Sequence, residues 1–359
     1  MMLFDAHCDA PSQMLRLRDF GRDNAFAQVD FPKMRRGGVE ASFFALYVPA
    51  RLSAEEGLAY LERLLGSLQG QLAAHADQAA PAMDEESLRK NRRRGLLSLF
   101  LGIENGHPLT AGGDFGGLLR RFYSAGVRYV TLVHSADNAL ADSCTGKGRW
   151  GGLSPLGREA VAEMNACGML IDLAHAAAKT IDDVLACSTR PVAFTHGCCA
   201  ALYPHPRNLG DAQLTAIADR GGFVGISVYP AFLSRQYQEA LQSSGPGAEL
   251  EAEDAFIAHP EDPARRTAWE AVQRRLLALP RSGVADVAVH IDHAVRVAGI
   301  EHVGIGTDFD GIEVAAAGLD DISRLGLVLD ALRKRGYGED ALEKIASGNL
   351  LRVLRDIQN

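Results

Sequence analysis

Residues 3–9 read Leu3-Phe4-Asp5-Ala6-His7-Cys8-Asp9. The run is short and largely apolar, and it ends in an imidazole and a carboxylate. A parallel strand buried on both faces reads as a near-continuous apolar run. In an open doubly wound sheet, the turn after the first strand carries a glycine-rich phosphate loop; here His7-Cys8-Asp9 stands in that place. The stretch therefore favours a closed sheet, and the rest of the chain follows it. Seven further runs of the same kind occur: Ala41–Val48, Leu96–Ile103, Tyr129–Val133, Met169–Leu173, Val192–Thr195, Phe223–Val228 and Val303–Thr307. Amphipathic stretches lie between them, among them Glu55–Ala74, Phe115–Ala125, Gly157–Cys167, Asp211–Arg220 and Val284–Ala298. Such alternation predicts an α/β fold of the (β/α)8 TIM-barrel type.

Barrels of this kind hold a few hundred residues in one unit, so residues 1–359 are expected to form a single domain. The spacing is uneven once. A long insertion, Pro230 to Gly283, follows the seventh run. It contains Ser243-Ser244-Gly245-Pro246-Gly247, which reads as a flexible tip, and a charged helical segment from Pro263 to Leu279. A loop after a strand emerges on the catalytic face of a barrel. The insertion can thus act as a lid, a substrate-selecting wall, a subunit contact or a plain surface excursion.

Hydrophobic residues make up 47% of the chain and the formal net charge is −8. A core of ordinary size needs no metal or disulfide staple, which leaves any metal free for chemistry. The negative balance argues against a general affinity for nucleic acid or anionic membrane. Six cysteines are sparse and fit no zinc-ribbon spacing; reduced thiols are the simple reading. The start Met1-Met2-Leu3-Phe4-Asp5 lacks a leader pattern, no apolar run approaches the ~20 residues of a membrane helix, and the tail lacks a lipid-anchor signal. The expectation is a cytoplasmic protein without a membrane anchor.

The acids and imidazoles fall at the ends of the runs. His7 and Asp9 close the first, Glu104 the third, His134 the fourth, His175 the fifth, His196 the sixth and Asp308 the eighth. Parallel strands end together, so all seven belong on one rim. Residues two apart on a strand share a face, which lets His7 and Asp9 grip one cation. His175 and His196, on neighbouring strands, can hold a second. Glu104 stands between them in strand order, and its two oxygens can bridge two metals ~3.5–4 Å apart. One histidine at a strand end is more often a hydrogen-bonded structural group than a ligand. Seven ionisable groups on one rim are costly to bury without a cation. His75, His259, His290, His293 and His302 lack such placement and read as surface or packing residues, and His107 as a neighbour of the rim. Cys8 should point away from the site. No G-x-S-x-G elbow is present.

These residues resemble the renal (membrane) dipeptidase family, the M19 metallopeptidases of the amidohydrolase superfamily. The resemblance runs over nearly the whole chain, through D-A-H-C-D-A-P at 5–11, V-D-F-P-K-M-R-R-G-G-V at 29–39, G-I-E-N-G-H-P-L at 102–109, R-Y-V-T-L-V-H-S-A-D-N at 128–138, L-S-P-L-G at 153–157, L-I-D-L-A-H at 170–175, R-P-V-A-F-T-H at 190–196, P-R-N-L at 206–209, G-I-G-T-D-F-D-G at 304–311 and G-N-L-L-R-V at 348–353. It implies two zinc ions per chain, one on His7 and Asp9, one on His175 and His196, with Glu104 bridging. It implies that His134 contacts substrate, that Arg207 binds the substrate carboxylate with Tyr229 nearby, and that Asp308 carries the proton. The activity it implies is hydrolysis of free dipeptides, extending to those with a C-terminal D-residue, by a hydroxide shared between the ions. Relatives are often dimers, so a homodimer is the assembly it implies. Pro204-His205-Pro206 departs from the small polar stretch expected before the arginine.

Two other readings of the rim stay open: another hydrolase on the same barrel, such as a deacylase of N-acyl amino acids, a lactonase or a phosphotriesterase, and a non-catalytic binding relic. Substrate pocket and metal content separate them.

Overall fold

Each apolar run of the sequence is a strand in the computed structural model, which describes residues 1–15, 18–25, 27–244, 252, 255, 256, 259 and 261–358. The strands are β1 (Leu3–Cys8), β2 (Val39–Tyr47), β3 (Ala79–Pro81), β4 (Leu97–Glu104), β5 (Val127–Thr131), β6 (Leu170–Asp172), β7 (Val192–Gly197), β8 (Phe223–Ile226) and β9 (Val303–Ile305). All pairings are parallel, in the order β1-β2-β4-β5-β6-β7-β8-β9. Beyond the strand ends, Asp308 N–H donates to His7 O and Asp9 N–H to Phe309 O, so the last strand meets the first and the barrel all but closes. The fold is the expected (β/α)8 TIM barrel. The short β3 was not foreseen. It adds to β4 off the barrel path, and its three residues end at Pro81, too few to leave a periodic signal.

The core has two layers. Phe4 and Ala6 of β1, Ala41 and Phe43 of β2, and one residue from each of β4 to β8 (Phe100, Tyr129, Leu170, Ala193, Phe223) form one cluster. Drawn from seven strands in turn, they fill the lumen. The C-terminal helix Asn349–Gln358 adds Leu350, Val353, Leu354 and Ile357 to that cluster and plugs the far end. A larger cluster, including Cys8, packs between barrel and outer helices. Helix boundaries follow local chemistry. Ser53 and Glu56 form a capping box at the start of Ala54–Ala74, and Gly168 takes the left-handed conformation that ends Pro155–Cys167.

The insertion after β8 carries helices Pro230–Leu233, Arg235–Ser243 and Pro263–Leu277; residues 245–247 of the expected flexible tip lie outside the described residues. Its first turn is fastened to the barrel. Cys199 N–H donates to His290 Nδ1 at 3.0 Å, so the ring proton sits on Nε2, which donates to Leu233 O at 3.0 Å. Asn208 Nδ2 donates to Phe232 O at 2.8 Å. His290 thus has the packing role expected of it. All six cysteines are free. Among the described residues no helix is long and apolar enough to cross a membrane.

Candidate metal centre

The strands deliver the rim residues to one point. Glu104, the last residue of β4, is buried, and its two oxygens face different partners. Oε1 lies 2.9 Å from His175 Nε2, 3.5 Å from His196 Nε2 and 4.0 Å from His134 Nε2. Oε2 lies 3.7 Å from His7 Nε2, which is itself 3.4 Å from Asp9 Oδ2 and 4.0 Å from Asp308 Oδ1. His175 and His196 bring their Nε2 atoms to 3.1 Å. All seven rim residues therefore meet around one carboxylate whose two oxygens face different histidines, and His196 also stands against His7, with ring centroids 3.9 Å apart.

Four placements differ from the strand-end picture, among them His175, which stands in the turn past the end of β6. β1 ends at Cys8, and its register on β2 shifts between Asp5 and Cys8. Asp9 is already the cap residue of helix Ala10–Met14, with Pro11 in the first turn. It reaches the site from a helix start, not from strand alternation. His134 stands beyond the end of β5 at Thr131, in the following loop, with its ring between Tyr47 (4.7 Å) and His175 (4.1 Å). Asp308 follows β9 in a turn. Asp308, His175 and Asn105, the neighbour of Glu104, hold positive φ of 67°, 67° and 78°. Such backbone is unfavourable for non-glycine residues and clusters where function fixes it. Gly311 lets two carboxylates come close, since a Cβ there would stand 2.1 Å from Asp9 Oδ2 and 2.8 Å from Asp308 Oδ1.

The electrostatics fit a cation. Burial pushes the Asp9 carboxyl up to about 7, with Asp310 adding to it and a hydrogen bond from Glu104 opposing. Burial, then the charge of Asp9, raises Glu104 well above the usual carboxylate range. Burial pushes Asp308 up to about 7 against the pull of His7 and Arg207. Burial holds His175 and His196 well below the ordinary imidazole range and brings His134 to about 3, with Arg207 contributing to each. Protein groups alone thus favour protonated acids and bare imidazoles. A bound cation would favour ionised carboxylates beside those imidazoles. The buried Asp9 Oδ1 has no hydrogen-bond partner in the protein, as expected of an oxygen shaped for an ion.

Beside this cluster lies a buried arginine, Arg207. Its Nη2 donates to His196 O at 3.4 Å, while Nε and Nη1 have no partner. The guanidinium lies over the Phe232 ring at 5.1 Å. His205, in the unexpected Pro204-His205-Pro206, accepts the Arg207 N–H on Nδ1 and packs on Phe232 at 4.9 Å, so that stretch supports the arginine. Tyr229 stands edge-on to Phe232 at 4.8 Å, and its hydroxyl donates to Glu313 Oε1 at 2.6 Å.

A family model described as membrane dipeptidase (peptidase family M19) matches residues 1–359. The chain belongs to peptidase family M19. This M19 chain is 32% identical over 347 residues to the dipeptidase aclJ of Aspergillus oryzae, covering 94% of this chain and 72% of that protein. Among solved structures it superposes on the probable dipeptidase PvdM from Pseudomonas aeruginosa with a TM-score of 0.83 at 25% identity, covering 100% of this chain and 96% of that one. It matches the dipeptidase AC, a metallopeptidase of family M19, with a TM-score of 0.80 at 26% identity, covering 100% and 99%. The M19 chain is a hydrolase of peptide bonds with a metallopeptidase's donor cluster.

Several residues of the M19 site were invisible in the sequence. Tyr47 faces His134. Tyr129 reaches His7 Nδ1 at 2.8 Å, and Thr195 reaches His196 Nδ1 at 3.0 Å. Glu313 gathers the hydroxyls of Tyr229 and Tyr237. Only the rim spacing signalled the site, and none of these four lies in it.

Proposed function

We propose that the protein is a binuclear zinc dipeptidase that cleaves the amide of free dipeptides, including those with a D-residue at the C-terminal position. The observation that carries the reading is the division of the Glu104 oxygens between His175 and His7, with a buried guanidinium beside them that keeps two nitrogens without a partner. His7 and Asp9 would hold one ion, His175 and His196 the other, and Glu104 both. Imidazole nitrogen and carboxylate oxygen are normal zinc donors. When bound, the pair would polarise the amide carbonyl and lower the pKa of the attacking water.

The remaining steps belong to side chains. Arg207, whose Nε and Nη1 have no partner in the protein, offers a charged donor to the C-terminal carboxylate of the substrate. A longer peptide would bring an amide there and leave the guanidinium without its charge partner. Asp308, buried at the edge of the cluster, takes a proton from the attacking water and passes it to the leaving nitrogen. His134, kept as a neutral imidazole, donates its N–H toward the carbonyl oxygen as negative charge develops. Tyr229 stands edge-on to Phe232 with its hydroxyl proton committed to Glu313, so it offers substrate an oxygen and not a donor. This refines the role that the family resemblance implied for it.

The first turn of the insertion contributes Phe232 beneath Arg207, which favours a substrate-selecting wall over a loose lid. A homodimer in the cytoplasm is the setting in which we place the enzyme; six free thiols support a reducing compartment. A panel of dipeptides with L- and D-residues at the C-terminal position, N-acyl amino acids and lactones, assayed with zinc, tests the assignment. Turnover confined to free dipeptides is expected. Preferred turnover of N-acyl amino acids or lactones would replace it with the deacylase or lactonase reading.

A further inference from the structure

We propose that Thr195 and Tyr129 are positioning residues for two metal-facing histidines, Thr195 setting the tautomer of His196 and Tyr129 holding the ring of His7, and that each governs a different one of the two ion positions. The inference rests on the two-ion reading above.

Four donors converge on Asp172 at the end of β6. Thr131 Oγ1 donates to Oδ2 at 2.5 Å and Thr195 Oγ1 to the same oxygen at 2.9 Å, while the backbone N–H groups of Thr195 and Ala174 donate to Oδ1 at 2.9 and 3.2 Å. A hydroxyl has one proton, and Thr195 spends it on this carboxylate. Toward His196 Nδ1, 3.0 Å away, Thr195 can only accept. Nδ1 therefore carries the ring proton, and the Nε2 lone pair is left facing Glu104 and His175. The chain Asp172–Thr195–His196 fixes the imidazole in its ligating form and backs it with a buried carboxylate.

His7 is oriented by different means. Its Nε2 faces the oxygens of Asp9, Glu104 and Asp308, and its Nδ1 lies 2.8 Å from the Tyr129 hydroxyl. Ligation through Nε2 puts the proton on Nδ1, with the phenol oxygen accepting. The lumen aims this phenol: its ring packs on Phe43 at 4.8 Å and is admitted by Gly102, where a Cβ would lie 2.1–2.5 Å from three ring carbons. One histidine is thus backed by a carboxylate through a hydroxyl and the other by a phenol. Groups behind a metal-binding imidazole typically change metal affinity ~10–100-fold when removed.

The test is a zinc titration against a chromophoric chelator, resolving two dissociation constants for the wild type, Thr195→Val, Thr195→Ser and Tyr129→Phe, with thermal melts of the ion-free proteins to confirm folding. Thr195→Val is expected to weaken one step ~10–100-fold, with Thr195→Ser restoring it, and Tyr129→Phe to weaken the other. Cobalt(II) spectra should shift in the band of the affected site alone. Two tight sites in the wild type with constants unchanged in Thr195→Val and Tyr129→Phe would overturn this inference and leave the two-ion reading standing. So would both variants weakening the same step, or a loss that Thr195→Ser fails to restore. A wild type that takes up fewer than two ions would overturn the two-ion reading and this inference with it.

Discussion

Glu104 Oε1 lies 2.9 Å from His175 Nε2, while the other oxygen of the same buried carboxylate turns toward β1. One side chain thereby faces His175 and His7 at once. Glu104→Gln keeps the shape and removes the charge that two ions would share. Metal content after dialysis is expected to fall from two ions per chain to below one, with turnover down at least ~10²-fold, the scale of losing several kcal/mol of transition-state stabilisation. Elemental analysis beside a dipeptide assay reads both.

Asp308→Asn separates proton transfer from metal binding. The amide cannot shuttle the proton, and the side chain lies 4.0 Å from His7 Nε2, at the edge of the cluster. Metal content should hold while kcat drops ~10²–10⁴-fold, the range for one acid–base group. Undiminished turnover would remove Asp308 from the chemistry.

Arg207→Met tests carboxylate binding. A hydrogen bond to a charged group contributes roughly 1.5–3 kcal/mol, so KM for free dipeptides should rise ~10–100-fold. C-terminally amidated dipeptides, already lacking the carboxylate, should be little affected. Equal losses on both substrates would assign the guanidinium another task.

The ion-free protein should show an unusual pH dependence. Asp9 and Asp308 have folded pKa values of about 7, above the ordinary carboxylate value of 3.8. The folded state then binds protons that the unfolded state has lost. Stability from these groups is complete below about 4 and is lost as pH rises through about 7. Melting of chelator-treated protein should accordingly occur at lower temperature at pH 7.5 than at pH 5.5, and saturating zinc should reverse that order. A melting temperature of stripped protein that rises over this interval would contradict the cluster's electrostatics.

The rim was legible because parallel strands end together, so His7, Glu104 and His196, at the ends of β1, β4 and β7, had to meet wherever the barrel closed. Asp9 and His134 do stand with the other rim residues, but a proline-started helix and a loop, not strand ends, carry them there. The support beneath the rim was not legible. Tyr129 and His7 are 122 positions apart, and their contact depends on a ring crossing β4 through the space that Gly102 leaves. Thr195 adjoins His196 in sequence, yet its role appears only once Asp172, from another strand, claims its proton. Glu313 lies shortly after the motif at 304–311, but nothing local reveals that tyrosines from two segments converge on it. The insertion was read as lid, wall, subunit contact or plain surface excursion, and nothing local to it reveals that Phe232 packs under Arg207.

The most direct test of the account is turnover of a free dipeptide by protein stripped with a strong chelator, followed by stepwise return of zinc with elemental analysis at each step. Activity should vanish on stripping and return fully as content approaches two ions per chain. Full activity in metal-free protein would contradict it.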